Sequence, residues 1–192
     1  MGKKIKFSFI VVTWNSQGYI ARCLDSVFQQ SSSAFEVILV DNGSRDNTVQ
    51  VIEERYPRVR VIKNSENRGF CQANNQGIQE ARGEFIVTLN SDAVLDKDFL
   101  KSVERALQGL SSKVGMLNPR ILTMDKKRID STGLLLSPFR RFHDRGKGKK
   151  GTRIFRQGAF IFGPCAACGI YRRIYLKVSA EEANILIPVS FF

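Results

Sequence analysis

At 192 residues, 43% hydrophobic and 25% charged, the chain is large enough for one domain with a real core, or one domain and part of another, and too apolar to stay disordered. Its apolar runs fall well short of the roughly 18 to 20 residues that cross a bilayer, which argues against a transmembrane helix. The net charge of +12 is uneven: residues 1–112 hold 14 Lys+Arg against 13 Asp+Glu, whereas residues 113–192 hold 16 against 5.

In chain order, the basic start MGKKIK leads into an apolar run that meets Trp14, Asn15 and Ser16 without a small-residue cleavage site, so no secretory signal is expected. Lys6 stands where N-myristoylation needs Ser or Thr. FSFIVVT at 7–13 reads as a buried strand, and Ile20, Cys23, Leu24, Val27 and Phe28 then recur at helical spacing, with Asn15 or Ser16 as the N-cap. FEVILV at 35–40 is a second strand, DNGSRDN a turn, and TVQVIEERY a short helix that stops before Pro57. VRVIK at 59–63 is a third strand. A helix over 69–82 places Phe70, Ala73, Gly77, Ile78 and Ala81 on one side. EFIVTL is the fourth strand, and a helix from about Asp96 carries Phe99, Leu100, Val103, Ala106 and Leu107. Strands alternating with helices predict an α/β fold, a mostly parallel sheet covered on both faces.

The charge excess lies in the second part, and its densest stretch, RRFHDRGKGKKGTRIFR at 140–156, mixes glycines with like charges. That composition predicts a mobile loop rather than a packed element. Nucleic acid, an anionic membrane or a phosphorylated substrate would all be drawn to it, and a merely solvated loop explains it as well. Cys23, Cys71, Cys165 and Cys168 are too few for a disulfide framework and fit a reducing cytosol. The CxxC of Cys165 and Cys168 lacks two further zinc ligands and is read as small thiols near a packed turn.

In open α/β sheets ligands bind beyond the carboxyl ends of the strands. Four polar groups are expected there: Thr13 with Asn15, Asp41 with Asn42, Asn64 to Arg68, and Asn90 with Asp92. Each has an ordinary explanation as a cap or turn, but together they converge on one edge. No GxxxxGK[ST] or GxGxxG is present to cradle phosphates. A carboxylate holding Mg²⁺ or Mn²⁺ is the other way to bind a diphosphate, and Asp92, at the end of the fourth strand, is the candidate.

The segments VVTWNSQGYIARCLDSV, VILVDNGSRDNT, NSENRGFCQANNQGIQEARGEFIVTLNSDAVL and GPCAACGIYRR, in this order over about the first 175 residues, resemble successive blocks of family 2 glycosyltransferases. The resemblance is strongest to their bacterial rhamnosyltransferase-like branch. It implies a GT-A fold, a nucleotide-diphosphate sugar donor and inversion at the anomeric carbon. By the same resemblance Thr13, Asn15 and Asp41 would contact the base and ribose, and Arg68 and Asn74 would border the nucleotide pocket. NSD would replace the DxD metal motif, with Asp92 as ligand and Asn90 released for sugar or ribose. The implied donors are dTDP-rhamnose first and UDP-sugars second, with a glycan or lipid-linked acceptor. The implied location is cytoplasmic, peripheral at the inner face of the cell membrane, where the basic loop would meet an anionic surface.

The family keeps its general base in an acidic segment after the GIYRR-like block, so here the base is expected beyond Phe192; Glu181 and Glu182 suit a solvated helix face better. General-base assistance is worth roughly 10² to 10⁴ in rate. The chain is therefore expected to be truncated, binding donor but transferring poorly. Residues 1–112 are read as the donor-binding half and 113–192 as a basic, partial acceptor-side half. A sugar-phosphate nucleotidyltransferase would need a glycine-rich loop where TWNSQGYI stands. A non-enzymatic module binding nucleic acid or a membrane surface would rest on 140–156 alone and leave the polar edge unexplained.

Overall fold

Alternation along the first strand builds two faces at once. In β1 (Phe7–Thr13), Phe7, Phe9 and Val11 enter one apolar cluster while Ile10 enters another. The computed structural model describes residues 5–150, 155 and 158–176. Parallel to β1 run β2 (Phe35–Asp41) on one side and β4 (Phe85–Asn90) on the other, and β3 (Val59–Lys63) pairs with β2. Two later strands, β5 (Met116–Leu117) and β10 (Cys168–Arg172), complete a six-stranded sheet in the order β3-β2-β1-β4-β10-β5, with β10 antiparallel to both neighbours. Both lie beyond residue 112, so the sheet is continuous across that position.

The larger cluster packs α1 (Ile20–Phe28), α2 (Thr48–Arg55) and α4 (Phe99–Gln108) on one face through Leu24, Ile52 and Leu100, all fully buried. Burying each such side chain contributes about 1.5 to 3 kcal/mol. Phe9 adds an edge-to-face contact with Phe35 at 5.7 Å. On the opposite face α3 (Phe70–Glu80) brings Ile78 against Ile10, Ile38 and Ile86. Gly77 makes that approach possible, because a Cβ there would stand 2.5 Å from Ile10 Cγ2.

Three expectations are corrected. The first helix begins at Ile20 with Tyr19 at its N-cap, and neither Asn15 nor Ser16 caps it by side chain; the Ser16 carbonyl instead accepts from the Tyr19 and Ile20 N–H groups, and both side chains face other loops. Phe70 and Ala106 are exposed rather than part of the core stripes: Phe70 is the first residue of α3 and lines the cleft beyond the strand ends, and Ala106 lies at the rim of α4's apolar arc. The described part of the basic stretch is also paired. β8 (Leu134–Leu136) and β9 (Phe142–Asp144) form an antiparallel hairpin beside β6 (Ile121–Leu122) and β7 (Ile129–Ser131). Gly148 N–H donates to Ile129 O at 2.8 Å, Arg128 Nη1 donates to Gly148 O at 3.0 Å, and Gly146 and Gly148 supply the positive φ of the turn. Backbone ladders form regardless of side-chain sign, and some of the cations are engaged locally, Arg145 Nη1 donating to Thr132 Oγ1 at 3.0 Å and Lys147 pairing with Asp144 at 3.6 Å, so like charge does not prevent pairing. Residues 151–154 and 156–157 lie outside the described set.

All four cysteines are free, and burial pushes the Cys23 and Cys168 thiols up to about 12. A thiol reagent at about pH 8 is expected to leave both unlabelled in the folded protein, because only the thiolate attacks, and to label them after unfolding; peptide mapping reads the result. Gly77→Ala is expected to lose about 1 to 2 kcal/mol in urea denaturation, the clash with Ile10 outweighing alanine's better helix propensity. An unchanged midpoint would show that α3 does not sit this close to the sheet.

Candidate functional site

The β1–β2 register runs to the last residue, Thr13 opposite Asp41, and the β1–β4 register pairs Val12 with Asn90. Three strands therefore release the chain at one level, and the turns that follow surround an open cleft of about 480 Å³. Thr13, Asn15, Asn90 and Asp92 line it. Asp41 is buried one residue from Asn42, which also lines it.

The turn after β2 is a dense polar construction. Asp41 Oδ2 accepts from Ser44 N–H at 3.0 Å, three residues on, which folds the loop back. Gly43 has a φ of 82°, and a Cβ on it would meet the Glu66 backbone at 2.9 Å, so only glycine fits. Asn42 uses its whole amide: Nδ2 donates to Asn67 Oδ1 and Gly69 O, and Oδ1 accepts from Asn64 Nδ2 and the Arg68 N–H. Asn64 and Gln76 exchange a further pair of hydrogen bonds. This network fixes the 64–69 loop against the end of β2.

Two groups stand outside this satisfaction. Thr13 Oγ1 and Asp41 Oδ1 are buried without a hydrogen-bond partner, at side chains 1% and 3% exposed. Leaving a buried polar group unmade costs about 1 to 3 kcal/mol, more when it is charged. An N–H donor entering between the strand ends would satisfy the carboxylate oxygen, and the hydroxyl would serve either a donor or an acceptor beside it.

Of the other expected residues, Arg68 is exposed and off the lining, meeting the site through its backbone N–H on Asn42. Asn74 is 1% exposed, also off the lining, and its Nδ2 donates to Phe70 O at 2.9 Å. Asn15 reaches the cleft, but its Oδ1 accepts from the Arg45 N–H at 2.8 Å. Sequence reasoning missed the aromatic rim: Trp14, Tyr19 and Phe70 line the cleft at 55%, 59% and 45% exposure. The signal for Trp14 was present, a large aromatic in a polar turn; Phe70 was hidden by its helical spacing.

At the end of β4, the Asn90 N–H donates to Ala167 O at 3.1 Å, and the Asn90 carbonyl accepts from Ala93 N–H and from Cys23 Sγ. Asp92 is exposed, and it is the only carboxylate on the lining. Among the described residues no group of three His, Cys, Asp or Glu side chains is placed to hold a metal. Asp92 with the oxygens of Asn90 and Ser91 fits a hard cation that takes most of its shell from ligand phosphates and water. Glu181, Glu182 and any base beyond Phe192 lie outside the described residues.

The family model described as Glycosyl transferase family 2 matches residues 8–178. Glycosyltransferase GlyG of Streptococcus pneumoniae is 31% identical over 104 residues, covering 53% of this chain and 35% of its own. The poly(ribitol-phosphate) beta-N-acetylglucosaminyltransferase TarS of Staphylococcus aureus is 36% identical over 103 residues, 50% of this chain and 18% of its own. Among solved structures, S. aureus TarS 1-349 in complex with UDP-GlcNAc aligns with a TM-score of 0.62 at 25% identity, covering 91% of this chain and 47% of that one. A mannosyltransferase from Pyrobaculum calidifontis in complex with GDP-Man and Mn²⁺ shares the fold, with a TM-score of 0.63 at 21% identity over 91% of this chain and 46% of that one. The chain thus spans about a third or less of these curated relatives and about half of the aligned structures.

The unpartnered Thr13 hydroxyl makes a direct prediction. Thr13→Val replaces it with a methyl of the same shape and is expected to stabilise the ligand-free protein by about 1 kcal/mol in thermal or urea denaturation. Destabilisation would mean that the hydroxyl is satisfied in solution.

Proposed function

The chain belongs to glycosyl transferase family 2 and has its GT-A fold, and from that premise we propose that the cleft binds a nucleoside-diphosphate sugar whose sugar is transferred, with inversion, to a hydroxyl of a glycan or lipid-linked acceptor. The observation that carries this reading is the pair of buried oxygens without partners, Thr13 Oγ1 and Asp41 Oδ1. Uracil and thymine present one imide N–H flanked by carbonyls, which suits a carboxylate acceptor with a hydroxyl beside it. UDP- or dTDP-sugars are accordingly the donors. TarS in its UDP-GlcNAc complex supports the former, and dTDP-rhamnose remains the specific alternative. Trp14, Tyr19 and Phe70 offer apolar faces for the base and ribose.

The diphosphate then reaches toward Asn90 and Asp92. A bound Mg²⁺ or Mn²⁺ would offset the charge that gathers on the diphosphate as the anomeric C–O bond breaks. Asp92 would hold that cation, and Asn90 would touch the sugar or ribose. The acceptor oxygen forms the new bond from the opposite side and gives its proton to a carboxylate base.

Residues 1–112 serve as the donor half in this reading, and residues 113–192 as the acceptor side, which abuts the site where Ala167 O receives the Asn90 N–H. No described helix is long and apolar enough to cross a membrane. The cationic hairpin, followed after β9 by Lys147, Lys149 and Lys150, supports peripheral contact with an anionic membrane face on the cytoplasmic side, each cation contributing roughly 1 kcal/mol near the surface.

Calorimetric titration with UDP- and dTDP-sugars, with and without Mn²⁺, tests the donor reading. Asp41→Ala is expected to weaken binding about 10- to 100-fold under both conditions, the loss of one charge-assisted hydrogen bond. Asp92→Ala should abolish the gain that Mn²⁺ confers and leave metal-free binding nearly intact. Parent-like affinity in both variants would place the donor elsewhere.

A further inference from the structure

The turn after β1 carries Trp14, Asn15 and Ser16 into the cleft, yet it is not self-supporting. Asn15 has a φ of 49°, in the left-handed region, where a non-glycine residue persists only if its surroundings hold it. The hold comes from the turn before α2. Asn15 N–H donates to Ser44 Oγ at 2.9 Å, and Asn15 Oδ1 accepts from Arg45 N–H at 2.8 Å. Ser16 N–H donates to Thr48 Oγ1 at 2.8 Å, Gln17 N–H to Asp46 Oδ2 at 3.1 Å, and Asn47 N–H to Gln17 Oε1 at 3.0 Å. Five hydrogen bonds thus join two loops about 30 residues apart in sequence.

We propose that Asp46, which is off the cleft lining, is the positioning residue of this clasp and sets the placement of the cleft's β1 wall. Its two oxygens divide the work. Oδ2 takes Gln17 N–H, while Oδ1 takes both Thr48 N–H and the Thr48 hydroxyl. By fixing that hydroxyl's proton, Asp46 leaves the Thr48 Oγ1 lone pairs directed at Ser16 N–H. The order passes on from Ser16, whose Oγ is 3.1 Å from Ser91 Oγ, next to Asp92. Asp46 therefore ties the ends of β1, β2 and β4 together without facing the cleft. Burial pushes its carboxyl up, but the hydrogen bonds from Thr48 and Gln17 outweigh that and hold it below the usual carboxylate range, so it is charged at neutral pH.

A purely local role, starting α2, makes a different prediction, and Asp46→Asn separates the two. Asparagine replaces aspartate well in helix-starting turns and keeps one oxygen for Thr48, but it sets an NH₂ against Gln17 N–H, so the clasp loses a bond while the helix start survives. Trp14 is the chain's single tryptophan and reports on this loop directly. Acrylamide quenching of its fluorescence is expected to rise in both Asp46→Asn and Asp46→Ala, with the melting temperature near the parent's in the asparagine variant. UDP affinity should fall about tenfold in both, as binding must then order the loop. The affinity arm rests on the donor reading; the fluorescence arm does not. A parent that fails to bind UDP refutes the donor reading and leaves the quenching result to decide the clasp. Parent-like Trp14 quenching in Asp46→Asn overturns the proposal, and if Asp46→Ala does not fold, quenching in the asparagine variant alone decides between the two roles.

Discussion

The parallel register between β1 and β2 is the constraint on which the site depends. Phe7 faces Phe35 at one end of the ladder and Thr13 faces Asp41 at the other, with no slip between. Each strand buries its two faces in different clusters, so a shift of one residue would send every side chain to the wrong side. The hydrophobic pattern that secures the core therefore also fixes where the polar strand ends emerge. Val12 opposite Asn90 extends the same level to β4.

What leaves the sheet at that level is divided sharply between satisfied and unsatisfied groups. Asn42, Asn64, Asn67 and Gln76 close on one another, which holds the loop before α3 against the end of β2. Beside them Thr13 Oγ1 and Asp41 Oδ1 are buried and alone. Four buried side-chain polar atoms lack a partner among the described residues, and Thr13 Oγ1 and Asp41 Oδ1 belong to the residues that face each other at paired strand ends, which supports the proposal that they meet a ligand of matching polarity. Rigid surroundings matter here, since a mobile loop could collapse onto the open groups and cover them.

The second part of the chain contributes both sheet and charge. β10 pairs with β4 and covers its edge, and Arg172 packs over Phe85 at 4.9 Å while facing Glu84 at 3.7 Å. The cationic hairpin is a separate small ladder outside the main sheet. Its order comes from backbone hydrogen bonds and glycine turns, so the described part of a charge run that looks like a disordered segment in composition is held as a shaped surface.

The sequence by itself determined the four parallel strands and their helices, because apolar alternation and helical spacing are local patterns that the chain must display in order to bury itself. It also marked Thr13, Asn15, Asp41, Asn90 and Asp92 as neighbours, since the carboxyl ends of parallel strands share one edge whatever the details. Local pattern did not reveal β10, whose five residues gain their identity only by lying against β4, or the hairpin, whose composition argues against pairing. Nor did it distinguish Asn74, turned back onto Phe70 O, from residues that face the cleft, or Phe70 from its buried neighbours. Those assignments were decided by the folded structure, because whether a polar side chain is spent or left open depends on which partner reaches it, the Phe70 carbonyl of the same helix for Asn74 or the distant Arg45 for Asn15, while none of the described residues reaches Asp41 Oδ1.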